Sequence, residues 1–123
     1  MKDNTVRFLN LSKMTFPVTA VISIFHRISG VILFVAIPWL ILLFLVSIHS
    51  QSAYEAVVNC LSRPLSKFFL SSIIAVISYH TYAGVRHLLM DAGVGESYQT
   101  GMMSAWIVIG LTIVTAVIGG IYV

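Results

Sequence analysis

Cysteine is nearly absent from this sequence: Cys60 stands alone, which excludes an internal disulfide, a thiolate metal cluster and a Cys-x-x-Cys-His haem attachment. Charge is scarce as well. Charged residues make up 9% of the chain, and no Lys, Arg, Asp or Glu enters three long apolar runs, Ile28 to Ile48, Phe68 to Val85 and Met102 to Val123. A small transporter or channel component often carries intramembrane acids for ion coupling, so their absence from these runs disfavours that class. The net charge of +3 comes from isolated basic residues rather than a patch, and it implies no nucleic-acid partner.

What the sequence has in quantity is apolar surface. Hydrophobic residues make up 59% of 123 positions and mean hydropathy is +0.99, more than a soluble domain of this length can hide. The expected fold is all-α, an integral membrane protein with three transmembrane helices at about 17–48, 65–90 and 101–123. Each apolar run is near the roughly 20 residues that span ~30 Å of hydrocarbon. One domain, 1–123, accounts for the chain and leaves no room for a soluble catalytic module. The first run is longer than the ~7–15 residues of a signal-peptide core and is read as a span rather than a leader.

Phe16-Pro17-Val18-Thr19 reads as a helix start, because proline is tolerated in a first turn, and Pro38 predicts a kink rather than a break. Ser50 to Lys67 reads as an exposed connection with a short surface helix around Tyr54 to Leu61. Asp91-Ala92-Gly93-Val94-Gly95 punctuates the end of the second span. Ala116 and Gly120 form a small-xxx-small pair that permits close helix packing. With an odd number of spans, Lys2, Arg7, Lys13, Arg27 and Arg86 fall on one side and Arg63 and Lys67 on the other, which predicts a cytoplasmic N-terminus.

Ionisable residues in spans are costly, so His26, Arg27, His80, Arg86 and His87 carry the functional question. Ser23, His26, Arg27 and Gly30 stand at i, i+3, i+4 and i+7, a polar stripe along one face at the cytoplasmic boundary. Two readings stay open. The cationic side chains can snorkel to the interface while Ser23 bonds its own backbone. Alternatively, the serine hydroxyl and the guanidinium can hold a quinone carbonyl oxygen or a carboxylate.

His80, Gly84 and His87 share a face of the second span, with a glycine between two imidazoles that admits something flat. His80 lies about seven residues, or ~10 Å, deeper than the interface, where an unpaired imidazole is expensive. It needs a partner: an interhelical hydrogen bond, or haem iron, with Arg27 and Arg86 near enough to neutralise the propionates. His49 is at the wrong end of its helix for a second axial ligand, and His26 and His87 are expected to be too shallow. A bis-histidine haem would therefore draw its other ligand from another chain.

Phe16-Pro17-Val18-Thr19-Ala20 followed by Ser23-Ile24-Phe25-His26-Arg27-Ile28-Ser29-Gly30 resembles the signature of the succinate dehydrogenase cytochrome b556 subunit family. Ser78-Tyr79-His80-Thr81-Tyr82-Ala83-Gly84-Val85-Arg86-His87-Leu88-Leu89-Met90-Asp91 resembles its second motif. The resemblance implies that Ser23 and Arg27 line a ubiquinone site and that His80 is an axial ligand to haem b. It also implies that His26, Arg27, Gly30, Gly84 and His87 surround the haem. The chain would be half of a heterodimeric anchor in a bacterial inner membrane. A second small membrane subunit would supply the other axial histidine, and an iron–sulfur subunit and a flavoprotein subunit would sit on the cytoplasmic face. Succinate oxidation itself would not lie on this chain. A cofactor-free assembly anchor and a fumarate reductase anchor are the alternatives.

Overall fold

The computed structural model describes residues 18–123. The expected helix start at Phe16-Pro17 and the cations Lys2, Arg7 and Lys13 lie outside the described residues. Within them, all regular structure is helical: α1 Val18–Ser47, α2 Gln51–Leu61, α3 Pro64–Asp91 and α4 Tyr98–Tyr122. The helices α1, α3 and α4, of 30, 28 and 25 residues, are each long and apolar enough to cross a membrane. The chain is thus a three-helix membrane anchor. α1 continues as a helix through Pro38.

The ends of the helices follow from local chemistry. α2 begins earlier than expected because Ser50 caps it, its Oγ accepting the Ala53 N–H at 3.2 Å, and Gln51 donates to Glu55 one turn on at 3.0 Å. Pro64 occupies the first turn of α3, where its missing N–H costs nothing. The far end of α3 closes through Gly93 at φ 80°. Gly93 N–H donates to Met90 O at 3.0 Å and Val94 N–H to Leu89 O at 2.9 Å, the paired bonds of a Schellman ending. α4 starts at Tyr98 rather than near Gly101, since Ser97 caps it by accepting the Thr100 N–H.

α3 lies between α1 and α4 and packs on both. The buried centre is small, consisting of Ile22, Ala83, Ala105 and Val108 with Val18, Tyr79, Tyr82 and Ile109 against it. Two phenol hydroxyls tie the helices together: Tyr79 donates to the Ile22 carbonyl of α1 at 2.9 Å, and Tyr82 bonds Thr115 of α4 at 2.9 Å. Close approach of α4 to α3 occurs at Gly119, where an added Cβ would stand 2.7 Å from Ile74 Cγ2. Gly120 has only ordinary spacing, 3.7 Å to Ser71 Oγ. Gly120 of the expected Ala116/Gly120 pair thus does meet α3, while the tighter approach is one residue earlier, where Gly119 stands opposite the β-branched Ile74. Most large apolar side chains point outward, Phe34 and Ile121 among them, as lipid or a partner subunit requires.

Candidate functional site

The polar groups that the sequence places on α1 and α3 meet at the contact between these two helices. The His26 ring of α1 inserts between the two imidazoles of α3. Its centroid is 4.3 Å from that of His80 with 17° between planes, and 5.1 Å from that of His87 with 19° between planes. Glycine makes the insertion possible. A Cβ on Gly84 would stand 3.2 Å from His26 Nε2, and one on Gly30 would stand 3.1 Å from His80 Cε1. Gly84 does admit something flat, and within this chain the flat group is the His26 imidazole.

His26 was expected to lie too shallow to share an iron with His80. The stack corrects the reason, since the two rings are in contact. Orientation is what separates them: rings stacked face to face direct their nitrogen lone pairs sideways, in the ring planes, and cannot bracket one metal ion between them.

Hydrogen bonding fixes the His80 tautomer. Its Nδ1 lies 2.9 Å from Ser29 Oγ and 3.2 Å from the His26 carbonyl oxygen. Ser29 donates its own proton to that same carbonyl at 2.7 Å. A carbonyl only accepts, so Nδ1 carries a proton, and the neutral ring then has its lone pair on Nε2. His87 is set the same way, its Nδ1–H donating to Ala83 O at 2.8 Å. Among the described residues no hydrogen bond occupies Nε2 of either ring. This is the pattern by which a metal-binding histidine is oriented: one nitrogen held by the protein, the other bare.

Ser23 is half-buried and Arg27 exposed, both on α1 within a turn of His26. Arg27 and Arg86 do not form the cationic pair that the sequence suggested. Arg86 is 5% exposed and turned onto α4, with Nε donating to Ser104 Oγ at 3.0 Å and an Nη2 proton to Gly101 O at 3.2 Å. The reason is helical phase: one residue before His87, Arg86 faces α4 while His87 faces α1. Arg27 alone of the two remains at the open edge.

Sequence reasoning quoted Ser29 but gave it no role. Its signal was present, a hydroxyl one turn after His26 in an otherwise apolar run, buried to 5% exposure. Farther along the same face of α3, Ile73 and Phe69 join Val31, Val35 and Trp39 of α1 around a groove of about 720 Å³, closed at its far end by Cys60 and Leu61 of α2. This apolar trough between α1 and α3 lies beyond the imidazole cluster, whose rings do not line it.

Comparison with known proteins identifies the architecture. The family model described as succinate dehydrogenase/fumarate reductase transmembrane subunit matches residues 1–119. A succinate dehydrogenase cytochrome b556 subunit from Coxiella burnetii is 34% identical over 116 residues, covering 94% of this chain and 93% of that protein. A cytochrome b560 subunit of the same enzyme from Reclinomonas americana is 29% identical over 117 residues, covering 91% and 81%. The cytochrome b556 subunit from Rickettsia bellii is 33% identical over 92 residues, covering 75% and 71%. With three helices long and apolar enough to span a membrane and a family match over nearly its whole length, the chain belongs to the succinate dehydrogenase/fumarate reductase transmembrane subunit family.

Proposed function

We propose that this chain is a membrane-anchor subunit of succinate dehydrogenase that gives one axial ligand, His80, to a b-type haem and contributes Ser23 and Arg27 to a ubiquinone site. One observation carries the haem reading. The His80 ring is held by its Nδ1–H between Ser29 and the His26 carbonyl, so a neutral Nε2 lone pair is available within a membrane span, where an idle imidazole is costly. The relatives named cytochrome b support the same group. When bound, such a haem supplies a one-electron redox centre.

The chain's own residues do three things in this account. His80 would hold the iron through Nε2, and the stack of His26 on His80 and His87 keeps the ring in place at the helix contact. A second histidine ligand would come from another membrane subunit, since His26 is stacked face to face on His80 and the two rings cannot bracket one metal ion. The apolar trough beside Ile73 and Val35 suits the helices of that subunit. Arg27, unburied at the α1 edge, donates hydrogen bonds to a haem propionate or a quinone carbonyl, and the Ser23 hydroxyl, one turn away, adds a second donor to the carbonyl. Donors at a carbonyl oxygen favour charge developing there as a quinone is reduced.

The asymmetry of basic residues favours a cytoplasmic N-terminus, which puts Ser23 and Arg27 on the side where iron–sulfur and flavoprotein subunits would deliver electrons. A fumarate reductase anchor uses the same scaffold, and the direction of reaction rests on the quinone and the soluble subunits. The deciding measurement is the reduced-minus-oxidised spectrum of the purified complex. His80→Ala should abolish the b-type bands while the subunits remain assembled. Unchanged bands in that variant, or a wild-type complex without haem, would leave a cofactor-free assembly anchor.

A further inference from the structure

We propose that Ser29, with Gly30 beside it, is a positioning residue that shares with the His26 carbonyl the hydrogen bond from His80 Nδ1–H and so sets its strength and the rotation of the ring. The inference rests on the reading of His80 as a haem ligand and adds to it what sets that ligand's strength. Serines within helices ordinarily return their hydroxyl proton to a carbonyl one turn back, and Ser29 does so at His26 O, 2.7 Å away. What distinguishes it is the second contact, 2.9 Å to His80 Nδ1 on another helix, 51 positions along the chain.

The two contacts together leave one consistent arrangement. The Ser29 proton is committed to the His26 carbonyl, so the Oγ lone pairs face Nδ1, and the same carbonyl lies 3.2 Å from that nitrogen. Nδ1 must therefore bring the proton. In the other tautomer an Nδ1 lone pair would face two acceptors in a site where Ser29 is 5% exposed. If the hydroxyl turned to donate to Nδ1 instead, the carbonyl would still face that lone pair. Rotation is limited on two further sides: the His26 ring covers one face at 4.3 Å, and the α1 backbone at Gly30 comes so near Cε1 that a Cβ there would stand at 3.1 Å.

Donation from Nδ1–H makes the opposite nitrogen a stronger electron donor, which favours the oxidised metal. Loss of the Ser29 oxygen weakens that donation, leaving the His26 carbonyl as the remaining acceptor, and removes one of the restraints on the ring's rotation.

The experiment uses the full purified complex. Ser29→Ala should retain b-type bands but show a haem midpoint potential shifted upward and a changed largest g-value in the ferric electron paramagnetic resonance spectrum. Ser29→Thr, which keeps the hydroxyl, should return both towards wild type. Haem lost in Ser29→Ala and regained in Ser29→Thr would support the same role in stronger form. Unchanged potential and g-value in Ser29→Ala, or any change or haem loss that Ser29→Thr leaves in place, would overturn it. His80→Ala, run alongside, separates the two claims: bands that persist there refute the ligand itself, whereas bands lost there beside an unaltered Ser29→Ala refute only the positioning role.

Discussion

The His26 imidazole stacks on that of His80, 4.3 Å from it with 17° between the ring planes, so a residue of α1 sits in the gap between two histidines of α3. The contact joins the two helices at the place where the candidate ligand must be held still. Gly84 is the residue that allows it, and its replacement gives a graded test. A methyl group there would stand 3.2 Å from His26 Nε2, and the ring cannot yield freely because His80 and His87 cover its two faces. Gly84→Ala should lower stability modestly. Gly84→Val should cost about 1–3 kcal/mol, the usual range for overpacking, and reduce haem content per assembled complex. Thermal unfolding and b-type absorbance measure both, and a fully loaded, equally stable Gly84→Val complex would show that the stack is dispensable.

The α3–α4 contact should respond at Gly119 and not at Gly120. A Cβ at Gly119 would meet Ile74 Cγ2 at 2.7 Å, and a β-branched side chain within a helix has little rotamer freedom to move aside. Gly119→Ala is expected to destabilise the anchor by about 1–3 kcal/mol, and Gly120→Ala by far less. Ile74→Ala should offset part of the Gly119→Ala loss. A double-mutant cycle on detergent-solubilised complex reads the coupling, which should be absent if the helices do not approach at this point.

The three spans were legible in the sequence because length and apolar runs are local properties, whereas the Ser97 cap that starts α4 at Tyr98 was passed over for a start near Gly101. The Gly93 ending of α3 was readable from the cluster around it, and the surface helix α2 was foreseen but begun late, since the cap is Ser50 rather than a residue nearer Tyr54. The faces of single helices were legible too: His80, Gly84 and His87 do share one. What one helix's pattern cannot give is the axial register between two helices. That register decides that His26 enters the Gly84 gap, that Ser29 reaches Nδ1 of His80, and that α4 comes nearest α3 at Gly119 rather than at Gly120. The direction of Arg86 was missed for the same reason, as its partners Ser104 and Gly101 lie on a helix that sequence spacing does not relate to it.

Arg86 should prove structural. Its guanidinium bridges the Ser104 hydroxyl and the Gly101 carbonyl in a buried position, a fork that lysine cannot reproduce. Arg86→Lys is expected to lower the amount and thermal stability of the assembled complex by about 1–3 kcal/mol, typical of a lost buried hydrogen bond. Haem spectrum and quinone reduction per assembled complex should remain close to wild type. Quinone turnover that falls while stability holds would instead place Arg86 in the functional site.

Arg27 should behave in the opposite way. It is exposed on α1, so its removal leaves no cavity and no orphaned partner among the described residues, and stability should hardly change. If its guanidinium donates to a quinone carbonyl, Arg27→Ala loses a charge-assisted hydrogen bond of about 1.5–3 kcal/mol, which corresponds to roughly 10- to 100-fold in quinone reduction. Succinate oxidation with a soluble dye should persist, because that electron path ends before the membrane. Arg27→Lys keeps the charge but not the planar fork and should fall between the two. Ser23→Ala should lower the same rate by a smaller factor. Quinone kinetics at the wild-type level in Arg27→Ala would remove this edge of α1 from the quinone site and leave the haem contact through His80 untouched.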